Sequence, residues 1–287
     1  YPDSLRSVWL YTEGIKQNVI SGDTARAREL FREAILNDST YAPAYYELAG
    51  SILESSPGEA VELARRAFRL DTANKWYHQF YGQALIMSNR LDEALKVYRR
   101  LLENDPKDPD NYRIVAALYE QKRSPFMALA TLDSAELRFG RIPLLSAMKR
   151  RMLVATNQIG KAVDEARAMV EAAPYEVQHH IVLADLYGVD GKDSLALAEY
   201  GRALQIDSTN VQTLMALADF HTARQDYRSL LAVTRKLFLS DAVPLETKIK
   251  RFEQFTSDTR FYREYYFQLN DLASVLAIRY PGDKRIV

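Results

Sequence analysis

The residue types that could do chemistry are few in this chain, and their spacing does not suit it. Cysteine is absent from the 287 residues, which excludes a disulfide scaffold, a thiol nucleophile and a zinc site built on thiolates. The four histidines form no HExxH pair. His179 and His180 are adjacent, so on a helix they cannot face one ligand, while His78, His180 and His221 fall among apolar residues and read as core-edge side chains. No two glycines stand two or four apart, so GxGxxG and GxSxG turns are absent. Gly160-Lys161 and Gly191-Lys192 both lack the upstream glycine and the following hydroxyl of a phosphate-cradling loop. Acidic residues are scattered and give no carboxylate pair. The residues therefore predict no enzyme: no catalytic residue, no metal site and no cofactor.

Composition narrows the class further. With 38 basic and 38 acidic side chains, no global positive field exists to drive nucleic-acid binding. Hydrophobic residues at 47% and charged residues at 26% are ordinary globular values. No run approaches the ~18 uninterrupted apolar residues of a membrane span. Length alone suggests about two domains of roughly 150 residues. The sequence begins at Tyr1 with no leader pattern after it, as if a leader had been removed or the chain cut from a longer one. The expected location is the bacterial periplasm or cell envelope, with the cytoplasm as the alternative.

The elements that must position any site are set by a repeat. Ala27, Ala60, Ala94, Ala128, Ala162 and Ala196 recur, continued by Leu230 and Leu269, at spacings of 33, then 34 five times, then 39. Seven residues later runs a parallel series: Ala34, Ala67, Leu101, Ala135, Met169, Ala203, Leu237 and Leu276. Each unit holds two helices. In the third, His78, Tyr81, Gly82 and Leu85 follow i, i+3, i+4, i+7. The turn Ser88-Asn89-Arg90 breaks that helix, and Leu91, Ala94, Leu95, Tyr98, Leu101 and Leu102 mark a second one. Asn104-Asp105-Pro106 ends the second, because proline has no amide donor and disfavours helical geometry in the residue before it.

These units resemble tetratricopeptide repeats, whose motif sets Leu-Gly or Leu-Ala, then Tyr, Ala, an aromatic, Ala and Pro at fixed offsets. The third unit carries it in Tyr81, Gly82, Ala94, Tyr98 and Pro106, and the fourth in Tyr112, Val115, Ala116, Tyr119 and Ala128. The resemblance implies an all-α, right-handed superhelical solenoid of antiparallel helix pairs, about seven to eight repeats in a single array over 1–287. Its units lie at approximately 7–41, 42–74, 75–108, 109–142, 143–176, 177–210 and 211–244, with a longer atypical unit at 245–283. Small residues permit close helix approach, at interaxial distances of about 8–10 Å. Stacking then joins faces that no unit can bury by itself.

Departures from the motif carry expectations of their own. Strict phasing puts Lys149 and Arg150 at buried positions, and Leu145, Met148 and Met152 suggest that this helix is rotated by about one residue. The aromatic run Phe252, Phe255, Phe261, Tyr262, Tyr265, Tyr266 and Phe267 reads as a longer hairpin with a thick core, or as an aromatic contact surface. Gly282-Asp283 reads as an inter-repeat turn, after which residues 284–287 would open another helix of a longer repeat protein. The Asp-Ser/Thr-apolar triplets at Asp3, Asp23, Asp71, Asp133 and Asp193, and Asn37-Asp38-Ser39, read as turns and helix starts ahead of glycosylation acceptors.

In proteins of this kind the first helix of each unit lines a groove that holds a peptide or protein. Carried over, the resemblance assigns partner binding to Tyr46, Trp76, Gln79, Phe80, Gln83, Arg113, Arg151 and Asp185, flanked by Tyr11, Glu47, Met87, Asp110, Ile114 and Gln121. The Lys/Asn clamp used for chaperone C-terminal carboxylates is missing: its first position reads Tyr11, Tyr46, Gln79, Arg113, Ala147, Ile181 and Met215. The expected function is a non-enzymatic interaction scaffold for a protein or peptide, not a nucleic acid. The alternative is an architectural or regulatory arm of a larger envelope-associated protein.

Overall fold

The computed structural model describes residues 3–286, with side chains from residue 5. Its described residues form seventeen helices and no strand. Packing groups the chain into two compact units, Tyr1–Thr156 and Asn157–Val287.

The first unit contains α1 (Asp3–Val19), α2 (Thr24–Asn37), α3 (Ala42–Ile52), α4 (Pro57–Leu70), α5 (Lys75–Met87), α6 (Leu91–Asn104), α7 (Pro109–Gln121), α8 (Pro125–Phe139) and α9 (Pro143–Ala155). Neighbouring helices pack on one another from α1 to α9. Local chemistry explains where they start. Proline opens α4, α7, α8 and α9, where its missing N–H costs nothing and its fixed φ suits a helix. Side-chain oxygens of Asp23, Asn74 and Asp108 accept from the free amides of α2, α5 and α7.

The second unit contains α10 (Ile159–Ala172), α11 (Val177–Val189), α12 (Asp193–Ile206), α13 (Val211–Ala223), α14 (Tyr227–Leu239), α15 (Leu245–Thr256), α16 (Thr259–Glu264) and α17 (Tyr266–Arg279). One of its cores joins Leu214, Ala218, Leu230, Val233, Leu237 and Val243. Another joins Leu231, Phe238, Leu269, Leu272, Val275 and Leu276.

The two spaced series form the spine of both units. Ala27, Ala60, Ala94, Ala162, Ala196, Ala34, Ala67, Ala135 and Ala203 have no exposed surface, and Leu230, Leu237, Leu269 and Leu276 are buried. Only Met169 is half-buried. The turns inside the pairs repeat as well: Asn89, Arg123, Gly191 and Gln225 all take positive φ, between 55° and 72°, as does Asn157 ahead of α10. After each of four of these turns the next amide reaches back five residues, as from Arg90 N to Leu85 O at 2.8 Å and from Ser124 N to Tyr119 O at 2.8 Å.

Helix α9 buries both sets of side chains: Leu145, Met148 and Met152, which the rotated reading places inward, and Arg150 and Leu153, which follow the strict phase, while Lys149 is half-buried. In α8, Asp133 and Glu136 take the Lys149 ammonium at 2.9 and 2.6 Å, so a charge is tolerated at the helix interface. The last unit is not one long hairpin. Its chain breaks at Tyr265 (φ −108°, ψ 26°) into α16 and α17. The break turns Phe261 and Tyr265 edge-on to Tyr227, at 5.1 and 6.0 Å. Most of the aromatic run is thereby core, and Tyr266 and Phe267 stay exposed. After Gly282 the chain is described only to Ile286, whose amide meets the Asp283 carbonyl at 3.1 Å. Asp283 accepts from the Arg285 amide at 3.0 Å and from its guanidinium, closing a turn; Val287 lies outside the described residues.

Candidate groove of the first unit

The capping oxygens of Asn74 and Asp108 set where α5 and α7 begin, and hence which side chains face one another. Asn74 Oδ1 accepts from the Trp76 and Tyr77 amides at 3.1 and 3.4 Å, and Asp108 Oδ1 from the Asp110 amide at 3.0 Å. From these starts, Gln79 and Gln83 of α5 meet Asp110, Arg113, Ile114 and Gln121 of α7 around a pocket of about 480 Å³. Ile86, Ala117, Leu118 and Tyr98 complete its lining. Sequence reasoning missed these four, although the aromatic at the position of Tyr98 belongs to the motif and could have pointed to it.

The pocket joins amides, one ion pair and apolar surface. Arg113 Nε donates to Asp110 Oδ1 at 2.5 Å. The Tyr98 hydroxyl donates to the Gln79 carbonyl at 3.3 Å. Burial, aided by Asp110 and opposed by Arg113, pushes the Tyr98 phenol up to about 12, so it remains a neutral donor. Each glutamine amide both donates and accepts, which matches the alternating groups of an extended peptide backbone.

The other predicted residues lie elsewhere. Tyr46 and Phe80 meet edge-on at 5.0 Å, and Tyr46 meets Tyr77 at 5.2 Å. Trp76 does not line the pocket; it is 62% exposed, with Lys75 Nζ 5.0 Å from its ring centroid. Arg151 is held in a two-pronged pair with Glu120, at 2.9 and 2.6 Å. Asp185 belongs to the second unit, where it accepts from the Tyr200 hydroxyl. Although the residue is exposed as a whole, desolvation around its carboxyl raises it above the ordinary carboxylate range, and the Tyr200 bond opposes that rise.

The histidines are tied into the packing. His78 is buried against Phe68, ring centroids 4.6 Å apart, with Nε2 3.1 Å from the Val97 carbonyl. His180 sets Nδ1 2.7 Å from Glu199 Oε2 and Nε2 2.9 Å from the Pro174 carbonyl. Among the described residues, no group of three or more His, Asp or Glu side chains is placed to hold a metal ion, and no helix is long and apolar enough to cross a membrane.

Comparison with known proteins agrees with the helical pairs. Residues 51–118 match the family model described as tetratricopeptide repeat. The fold resembles the C-terminal part of a TPR repeat-containing protein from Cytophaga hutchinsonii, with a TM-score of 0.61 at 14% identity over 85% of this chain and 97% of that one. A tetratricopeptide repeat protein from Parabacteroides merdae gives a TM-score of 0.54 at 15% identity, over 81% of this chain and 92% of that one. Among curated proteins, the putative cellulose synthase operon protein C of Escherichia coli O157:H7 is 23% identical over 198 residues, 66% of this chain. The chain spans only 17% to 28% of the lengths of the curated relatives it matches. Residues 51–118 thus carry tetratricopeptide repeats, and the helix pairs and buried small-residue spine along the rest of the chain resemble the same fold.

Proposed function

We infer that this protein is an interaction scaffold that holds an extended segment of a partner protein along the first helices of its N-terminal unit, and that it performs no chemistry of its own. The observation that carries this reading is the pocket between α5 and α7, where Gln79, Gln83 and Gln121 offer unpledged amides above Ile86, Ile114 and Leu118. Paired amides beside an Arg–Asp couple suit a peptide main chain with a polar side chain better than they suit a compact metabolite. Exposed Trp76 at the start of α5 adds an aromatic anchor of the type that dominates interface energies. Arg151 and Asp185, each engaged within the fold, contribute less in this reading. The location in a bacterial periplasm or envelope remains part of the proposal. Affinity capture with wild type beside a Gln79→Ala/Arg113→Ala double variant tests it. The variant should recover far less of the partner while keeping its helical signal; equal recovery counts against the groove.

A further inference from the structure

Next to the pocket, and inside the same unit, a half-buried carboxylate stands among phenol rings. Glu47 follows Tyr46 on α3. Tyr11 of α1, Tyr46 of α3 and Tyr77 of α5 all lie within electrostatic reach of it. Tyr41, which precedes α3, meets Tyr11 edge-on at 5.6 Å and is likewise within reach of Tyr77. All five side chains are partly open to solvent. Burial raises the Glu47 carboxyl above its ordinary value and pushes the Tyr11 phenol up to about 12, so the rings stay neutral. Among the described residues, no cation and no hydrogen-bond donor reaches Glu47, and none of these four phenols donates within the chain.

A partly desolvated carboxylate with no cation is an unfavourable arrangement for the free protein. Neutral aromatic faces carry negative charge density and attract cations, most strongly where water is excluded. We propose that Tyr11, Tyr46 and Tyr77 around Glu47, with Tyr41 packed on Tyr11, form a cation subsite of the groove, which takes the guanidinium or ammonium group of an arginine or lysine side chain on the partner segment. Glu47 supplies the charge-assisted hydrogen bond, the rings supply the cation–π contact, and the phenol oxygens remain as further acceptors. The subsite deepens the groove reading and rests on it for the partner being a peptide.

The test needs no partner. Tyrosine-ring NMR signals of the whole chain are followed during titration with N-acetyl-arginine methylamide, N-acetyl-lysine methylamide and the neutral N-acetyl-norleucine methylamide. Both cations should shift the Tyr11, Tyr46 and Tyr77 signals saturably, and the norleucine compound should not. Glu47→Gln should weaken cation binding about tenfold or more with the fold intact, because it removes an unpaired charge. Tyr77→Leu asks the same question with Glu47 left in place. Cations that act no differently from norleucine, or a folded variant of either kind with unchanged cation affinity, overturn the subsite. A negative titration beside normal partner capture counts against the subsite alone. A positive titration with capture insensitive to Gln79→Ala/Arg113→Ala counts against the groove reading alone.

Discussion

The ring of Tyr98 occupies the space that a side chain at Gly82 would need: a Cβ there would lie 2.5 Å from Cε2 and 3.0 Å from Cδ2. Tyr98 is 3% exposed and tied to the Gln79 carbonyl, so it has little room to give way. Gly82→Ala should therefore lose about 1–3 kcal/mol through overpacking, reduced by the helix propensity gained, roughly 1 kcal/mol. Gly201, inside α12, has nothing within 4 Å of its Cβ position. There the same change should gain about 0.5–1 kcal/mol. Urea midpoints of the two variants should move in opposite directions.

The small-residue spine makes a broader prediction. Ala94 and Ala196 have no exposed surface, and each lies on the second helix of a pair where packing is closest. Ala94→Leu and Ala196→Leu should each cost about 1–3 kcal/mol. Melting temperatures equal to wild type for both would contradict this packing register.

The intra-pair turns offer a stabilising test. Gln225 takes φ 58° and Gly191 takes φ 72° at equivalent turns. A residue with a Cβ is strained by roughly 1–2 kcal/mol in this region, and glycine is not. Gln225→Gly should raise stability by up to about 1 kcal/mol once the entropy of the unfolded glycine is subtracted, and Gly191→Ala should lower it by about 1 kcal/mol. Thermal denaturation of both variants checks the pair.

His78 sets a pH dependence. Desolvation lowers its pKa below the ordinary 6.5, Arg100 adds to the lowering, and the Val97 carbonyl opposes it. The folded protein thus binds a proton at this site less readily than the unfolded chain. Stability from neutral His78 is complete above pH 6.5 and is lost as pH falls below that value toward the folded pKa. Between pH 7.5 and 5.5, values chosen to bracket about 6.5, wild type should lose more stability than His78→Gln. Parallel loss in the two proteins would remove His78 as the cause.

Much of this architecture is legible because the helix pairs are local and periodic. Ala27 to Ala203 announce close helix approaches by size alone, and Asn89 and Gly191 mark turns that need a left-handed residue. Gln79 and Gln83 share a face of α5 by helical spacing. What spacing could not supply is pairing across helices. Lys149 stands half-buried at the α8–α9 interface with Asp133 and Glu136 of the preceding helix taking its charge, and no periodicity encodes that. The break at Tyr265 goes with ring contacts to Tyr227, 38 residues earlier in the numbering. The gathering of Tyr11, Tyr46 and Tyr77 around Glu47 depends on three first helices lying side by side, which a one-dimensional reading leaves open.

The central claim is that the partner lies against the first helices of the N-terminal unit. A photo-crosslinking residue placed at Gln83, in the pocket between α5 and α7, tests it most directly against the same residue placed at Glu103, exposed on α6. The account predicts a discrete covalent adduct from the Gln83 position in the native cell and none from Glu103. An adduct from Glu103 alone, equal adducts from both positions, or no adduct from Gln83 would contradict it.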